Sequence, residues 1–186
     1  HKYRPKDFII ADAKDGDLAM GITTPGPIRN SKGEISKGYK KLNDYKKSMM
    51  AMTKSKLVDI MLMSASVGES LIQKKLFKDS SVTPAIRMND TSDIWLMRNG
   101  NYRATNPRPF RSARIEAVNK LVNLGLFSVT FSKNVDFDLA MLNAYRDFRI
   151  EAVKYRFDHF LEIFNPPIDI GPVSYTHLRA HETDRH

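Results

Sequence analysis

Leu126-Phe-Ser-Val-Thr-Phe131 is an apolar run of strand length. It is followed by Asn134 to Arg156, where Phe137, Met141, Tyr145, Phe148 and Ala152 recur at helical spacing, and then by a second apolar run, His159-Phe-Leu-Glu-Ile-Phe164. Reading this stretch as strand, helix, strand decides the fold. Short runs that are apolar on both faces suit strands covered on both sides, and a long intervening helix lets the second strand pair parallel to the first. Asn134 is placed to cap the helix, with Asp136 and Asp138 near the positive end of its dipole.

The same alternation extends towards the N-terminus. Phe8-Ile-Ile-Ala11, Leu57-Val-Asp-Ile-Met-Leu-Met63 and Val82-Thr-Pro-Ala-Ile86 read as further strands. Helical patterns fall between them: a lysine-rich stretch in which Leu42, Tyr45, Met49 and Met52 recur, then Val67 to Phe77, then Arg111 to Leu124 with Ile115, Val118, Leu121 and Val122. Gly125 directly follows the last of these, where a C-terminal cap would stand. Asn99-Gly100, between the apolar arms of Asp93 to Tyr102, predicts a small hairpin insert in which Trp95 serves as a packing anchor. Strand then helix, four times over, predicts a parallel sheet.

Two architectures share that pattern. A doubly wound sheet calls for a glycine-rich phosphate loop after its first strand, whereas here the chain runs through Ala11-Asp-Ala-Lys-Asp-Gly-Asp17. A (β/α)8 barrel calls instead for polar residues at the carboxyl ends of several strands. The chain supplies Asp12 and Lys14, then Ser64 and Ser66, then Arg87, Asn89 and Asp90, then Ser132 and Lys133, then Glu162 and Asn165. The expected fold is α/β, a truncated (β/α)8 TIM barrel with about five of the eight strands.

Composition narrows the chemistry. With 41% hydrophobic and 27% charged residues the chain is neither disordered nor fibrous. The absence of cysteine excludes disulfides, thiolate nucleophiles and cysteine-based zinc sites. No run approaches the roughly 18 apolar residues of a membrane helix, so a cytoplasmic location without a membrane partner is expected. The net charge of +9 is concentrated around Lys37, Lys40, Lys41, Lys46, Lys47, Lys54 and Lys56. These lysines read either as the solvated face of an amphipathic helix or as a surface for an anionic partner; nucleic acid is disfavoured because no stacking aromatics are interleaved with them. Asp12, Asp15 and Asp17 lack the alternation and distal Glu of a calcium loop. Asn89, Asp90 and Asp93 have the residue types of a magnesium site, but no metal and no cofactor is expected. Arg108, Arg111 and Arg114 read as a solvated face or an anion contact.

The C-terminal end reads differently. Val173 to Thr183 resembles one translated frame of a transposon-end sequencing adapter, and the chain opens at His1 rather than Met. The expectation is that residues 1–172 are the N-terminal part of a single barrel domain and residues 173–186 a non-native tail. His177, His181 and His186, whose spacing imitates a helical metal site, are set aside with that tail.

Val58-Asp-Ile-Met-Leu-Met-Ser64, Val82-Thr-Pro-Ala-Ile-Arg87, Asn89-Asp-Thr91 and Phe160-Leu-Glu-Ile-Phe-Asn-Pro166 together resemble an aldolase-like (β/α)8 family of bacterial proteins. That family is distantly similar to class I tagatose-bisphosphate and fructose-bisphosphate aldolases. The resemblance implies a carbon-carbon lyase acting through a Schiff base on a (phospho)sugar or keto-acid substrate, with a homo-oligomer among its expected assemblies. Glu162 would be its acid/base residue and Asp12 its first-strand aspartate. Lys14, Ser64, Arg87, Asn89, Asp90, Lys133 and Asn165 are the substrate-binding candidates. The family's fourth-strand lysine is replaced here by Ser128 or its neighbours, and its Schiff-base lysine belongs to a sixth strand, so the fragment by itself is expected to be inactive. The alternative is a non-catalytic α/β domain that binds nucleic acid or a phosphorylated ligand through its basic surface.

Overall fold

The computed structural model describes residues 4, 6–17, 23–89 and 108–164. In chain order the elements are β1 (Ala11–Lys14), β2 (Pro27–Arg29), β3 (Ile35–Tyr39), α1 (Leu42–Ser55), β4 (Ile60–Met63), α2 (Ala65–Gln73), β5 (Thr83–Arg87), α3 (Ile115–Val118), β6 (Leu124–Thr130), α4 (Val135–Tyr155) and β7 (Asp158–Phe164). Strands β1, β4, β5, β6 and β7 lie side by side in that order, each parallel to the next. They form one curled sheet, a half-barrel. The order never reverses, so the described sheet has no switch point of the kind a doubly wound fold places at its ligand crevice. Strands β2 and β3 form a separate antiparallel ribbon.

Alternation along each strand divides the side chains between two faces. Met61, Met63, Ile86, Met88, Phe127 and Val129 turn to the helices and pack with Met49, Leu71, Ile115, Met141, Phe148 and Ala152 in the main core. At about 1.5 to 3 kcal/mol for each large side chain taken out of water, this layer dominates the stability of the fold. The concave face carries a smaller cluster of Leu62, Ala85 and Leu126, with Ile60, Leu124 and Phe160 packed against it. Two residues beyond Ala85, Leu126 and Phe160 on the same face come Arg87, Ser128 and Glu162. The concave side therefore has an apolar floor and, at the carboxyl ends of the strands, a polar layer.

Several local expectations are corrected. The lysine-rich stretch is not one helix. Gly38, at φ +98°, belongs to β3, and α1 starts only at Leu42, after Lys41, whose backbone N–H donates to Asp44 Oδ2 at 3.1 Å. Gly125 is no helix cap but a residue of β6; a Cβ there would lie 2.6 Å from the Phe157 ring and 2.7 Å from Met88. The helix expected from Arg111 to Leu124 shrinks to α3. Its leading residues stay extended across α4, where Arg108 lies 4.5 Å from the Phe137 ring, and Arg111 lies over Phe148 and pairs with Glu151. The first apolar run starts pairing only at Ala11, which leaves Phe8, Ile9 and Ile10 exposed. The cap at Asn134 stands as read, its side chain accepting from Phe137 N at 3.1 Å. Among the described residues no helix is long and apolar enough to cross a membrane.

Candidate functional site

The polar layer is organised around Arg87, the last residue of β5. Its Nη1 donates to Asp15 Oδ2 at 2.7 Å, its Nε to the Asn89 carbonyl at 2.9 Å and its Nη2 to Ser128 Oγ at 2.5 Å. Only 12% of the Arg87 side chain and 10% of the Asp15 side chain are exposed. An ion pair so far from water holds a fixed geometry, because separating the charges strands each of them in a poorly solvated place.

Asn89 explains why Ser128 is a reliable anchor. Backbone pairing of β5 with β6 runs to Arg87 and Leu126, ending on the bond from Met88 N to the Leu126 carbonyl at 2.8 Å. Beyond it the Asn89 amide stands in for a strand. Its Nδ2 donates to the Ser128 carbonyl and its Oδ1 accepts from Ser128 N, both at 2.8 Å. Both residues are fully buried. Asn89, read as a substrate-binding candidate, thus has its amide committed to tying two strands together.

Glu162 enters from β7, in register with Ser128. Burial is the main influence on its carboxyl and raises its pKa; the Arg87 guanidinium opposes the rise and the Asp15 carboxylate adds to it. Among the described residues Glu162 forms no ion pair, since Arg87 is taken by Asp15. The result is a half-buried carboxyl that holds its proton more tightly than an ordinary glutamate, beside an immobilised guanidinium. Such a group can give a proton to, or take one from, a bound substrate.

Asp12, the other catalytic candidate, is elsewhere. It stands in register with Met61, on the helix-facing side of the sheet, and pairs with Lys14 at 3.0 Å. Its Oδ2 is buried without a hydrogen bond among the described residues. Nearby, Ser64 Oγ donates to Asp17 Oδ2 at 2.6 Å while accepting from Val67 N, so Ser64 serves as the N-cap of α2. Burial raises the Asp17 pKa, and burial followed by the charges of Asp17 and Asp15 pushes the Tyr45 phenol up to about 12. This second polar group lies between β1, α1 and α2.

Lys133 is exposed at φ +61° in the turn before α4, a turn fixed by Ser132, whose N and Oγ donate to Asp138 Oδ1 at 2.8 and 3.0 Å. Asp90, Asn165, the Asp93 to Tyr102 hairpin with Trp95, and the histidines at 177, 181 and 186 lie outside the described residues. A cavity of about 240 Å³ beside Phe110, Phe127 and Phe148 lies on the helix side of the sheet, away from Glu162. Among the described residues no group of three or more His, Asp or Glu is arranged to hold a metal ion.

The structure thus brings Arg87 and Glu162, named separately in the sequence, within electrostatic reach of each other and adds Asp15, which the sequence reading missed, as the partner of Arg87. The signal was available, because Asp15 follows Ala11 and Ala13 at the strand period of two and so shares their face. Comparison with protein-family models, curated proteins and solved structures finds no match for the chain. Fold and site together define an α/β half-barrel with a buried Arg–Asp pair and a protonatable glutamate at the carboxyl ends of its strands.

Proposed function

We propose that the five parallel strands belong to a (β/α)8 barrel of an aldolase-like carbon-carbon lyase, with Glu162 as the residue that moves the proton. The observation that carries this reading is the position of Glu162. It lies in the carboxyl-terminal half of β7, two residues before the strand ends, in register with Ser128 and close enough to Arg87 for the guanidinium to act on its ionisation. Carboxyl strand ends are where barrels of this architecture keep their chemistry. Cleaving a carbon-carbon bond next to a hydroxyl requires removal of the hydroxyl proton and later protonation of the carbanion equivalent, work for a carboxyl of raised pKa.

The electrostatics favour a particular substrate group at Arg87. Its charge is already balanced by Asp15, and three of its five N–H donors are engaged with Asn89, Asp15 and Ser128. The remaining donors suit a carbonyl or hydroxyl oxygen better than a phosphate dianion. Asn89 and Asp15 are then positioning residues rather than substrate ligands. The imine step needs an amine nucleophile. The five-stranded sheet carries one lysine, Lys14, which faces away from Glu162 and pairs with Asp12. In this reading the Schiff-base lysine comes from outside these five strands.

The test is an NMR titration of the Glu162 carboxyl, assigned with Glu162→Gln, against dihydroxyacetone, pyruvate and dihydroxyacetone phosphate. Shifts at Glu162 on adding a carbonyl compound, with no gain from its phosphate, are the expected result. A carboxyl unmoved by all three at millimolar concentration overturns the reading.

A further inference from the structure

The β2–β3 ribbon is anomalous on physical grounds. Two short strands alone are at best marginally stable in water, yet every residue of β3 is exposed, with Ile35 at 67% and Tyr39 at 51%. The ribbon also holds much of the charge of the molecule. Residues 27–47 contain seven cations, Arg29, Lys32, Lys37, Lys40, Lys41, Lys46 and Lys47, against two carboxylates, Glu34 and Asp44.

The two faces of the ribbon differ. A side chain at Gly38 would meet Ile28 Cδ1 at 3.7 Å, which puts Ile28 on the Gly38 side. The register pairs Arg29 with Ile35 and Pro27 with Tyr39 on the opposite face, and shifts between those two pairs, so that Lys37 lies in the irregular stretch beside Gly38. That face carries the exposed Tyr39 ring and Ile35 together with Arg29, whose Nη1 donates to the Gly33 carbonyl at 2.6 Å, and the exposed Lys37 lies in the same strand between Ile35 and Tyr39. Lys40 and Lys41 follow Tyr39 directly, and Lys47 lies one turn into α1. The basic stretch that reads as one helical face in the sequence is therefore divided, and its first part becomes an exposed ribbon that holds cations and an aromatic close together.

We propose that this exposed ribbon, with Arg29, Lys37 and Tyr39 extended by Lys40 and Lys41, docks a single-stranded nucleic acid. The cations track the phosphates and Tyr39 stacks on an unpaired base, the combination single-strand binders use. An unpaired strand fits better than a duplex, because a duplex withholds its base faces from a flat ring. The inference is independent of the lyase reading, since none of these residues belongs to the cluster around Arg87.

The experiment is fluorescence anisotropy of the full chain with a labelled oligouridine and with a duplex of equal length, over a salt series from about 50 to 200 mM. Single strand is expected to bind more tightly than duplex. Tyr39→Ala should weaken single-strand binding about tenfold while leaving duplex binding unchanged. Arg29→Glu with Lys37→Glu should weaken binding roughly tenfold or more and flatten the salt slope by about 2. The control pair Lys78→Glu with Lys120→Glu removes the same charge elsewhere and should leave affinity within about twofold. Lys37→Gln provides the same reading should the reversed pair fold poorly by circular dichroism. Equal weakening by the control pair, indifference to Tyr39→Ala, or displacement of the oligouridine by an equal charge of polyglutamate, which would point to an acidic protein segment, each overturns the proposal.

Discussion

Asp15 and Arg87, seventy-two residues apart in sequence, meet at 2.7 Å with both side chains nearly removed from solvent, and this pair anchors the polar layer in which Glu162 lies. Removing one partner leaves the other charged and poorly solvated. Asp15→Ala is therefore expected to lower stability by about 3 kcal/mol, measured as the shift of the urea midpoint at constant slope. Asp15→Asn combined with Arg87→Met should lose clearly less than Asp15→Ala, because no charge is stranded. Equal losses would mean that the two groups do not depend on each other.

Glu162 gives a pH signature whose sign follows from its environment. Its folded pKa lies above the ordinary value of 4.5, chiefly through burial, so the folded state holds the proton more tightly than the unfolded state. Stability from this group is then fully present below the unfolded pKa and is lost as pH rises through the folded one. Glu162→Gln removes the dependence. The variant should gain on wild type as pH climbs from 4.5 through the raised value, and the stability difference should be flat at higher pH. Thermal melts across that window decide it, and a difference that stays constant across it would place Glu162 in water.

How far the sequence disclosed this structure depends on which residues carried the signal. The unit of β6, α4 and β7 was legible because Phe137, Met141, Tyr145, Phe148 and Ala152 keep helical period for about four turns and Asn134 supplies a local cap. The parallel sheet followed from it. Arg87 was legible as the polar residue that ends an apolar strand, and Glu162 as a carboxylate within one. Tertiary relationships were not. The commitment of the Asn89 amide to Ser128 depends on where β5 stops pairing, and the burial of Asp12 on the helix side depends on register with Met61. The division of the lysine-rich stretch hinged on Gly38 and the turn that pairs Arg29 with Ile35, whereas helical spacing of Leu42, Tyr45, Met49 and Met52 dominated the reading of the whole region.

Gly125 shows how one residue type carries opposite meanings. Read as a cap, it should tolerate alanine poorly because of its backbone angle; found in β6, it should tolerate alanine poorly because Phe157 and Met88 occupy the space. Gly125→Ala is expected to cost about 1 to 3 kcal/mol by overpacking. The structural account further requires that Phe157→Leu, costly alone, reduce the penalty of Gly125→Ala in the double variant. Strict additivity of the two costs would argue against the contact.

The outer face of α4 has consequences for the molecule in solution. Val135, Leu139, Leu142, Ile150 and Val153 are all exposed along one side of the helix, interrupted by Arg146, and opposite the buried Met141, Phe148 and Ala152. Beside them, Leu161 and Ile163 project from β7, which pairs only with β6 in the described sheet. An apolar stripe next to an open parallel edge invites association, because contact removes apolar surface from water and an added strand satisfies the free backbone groups of the edge. Light scattering should show an apparent mass that rises with protein concentration. Val153→Glu with Ile163→Lys should lower it without lowering the melting temperature, since neither side chain is buried. The control pair Lys78→Glu with Glu116→Lys, at exposed positions off this stripe, should leave the mass unchanged. A chain that stays monomeric at every concentration would mean that this exposed stripe does not drive association.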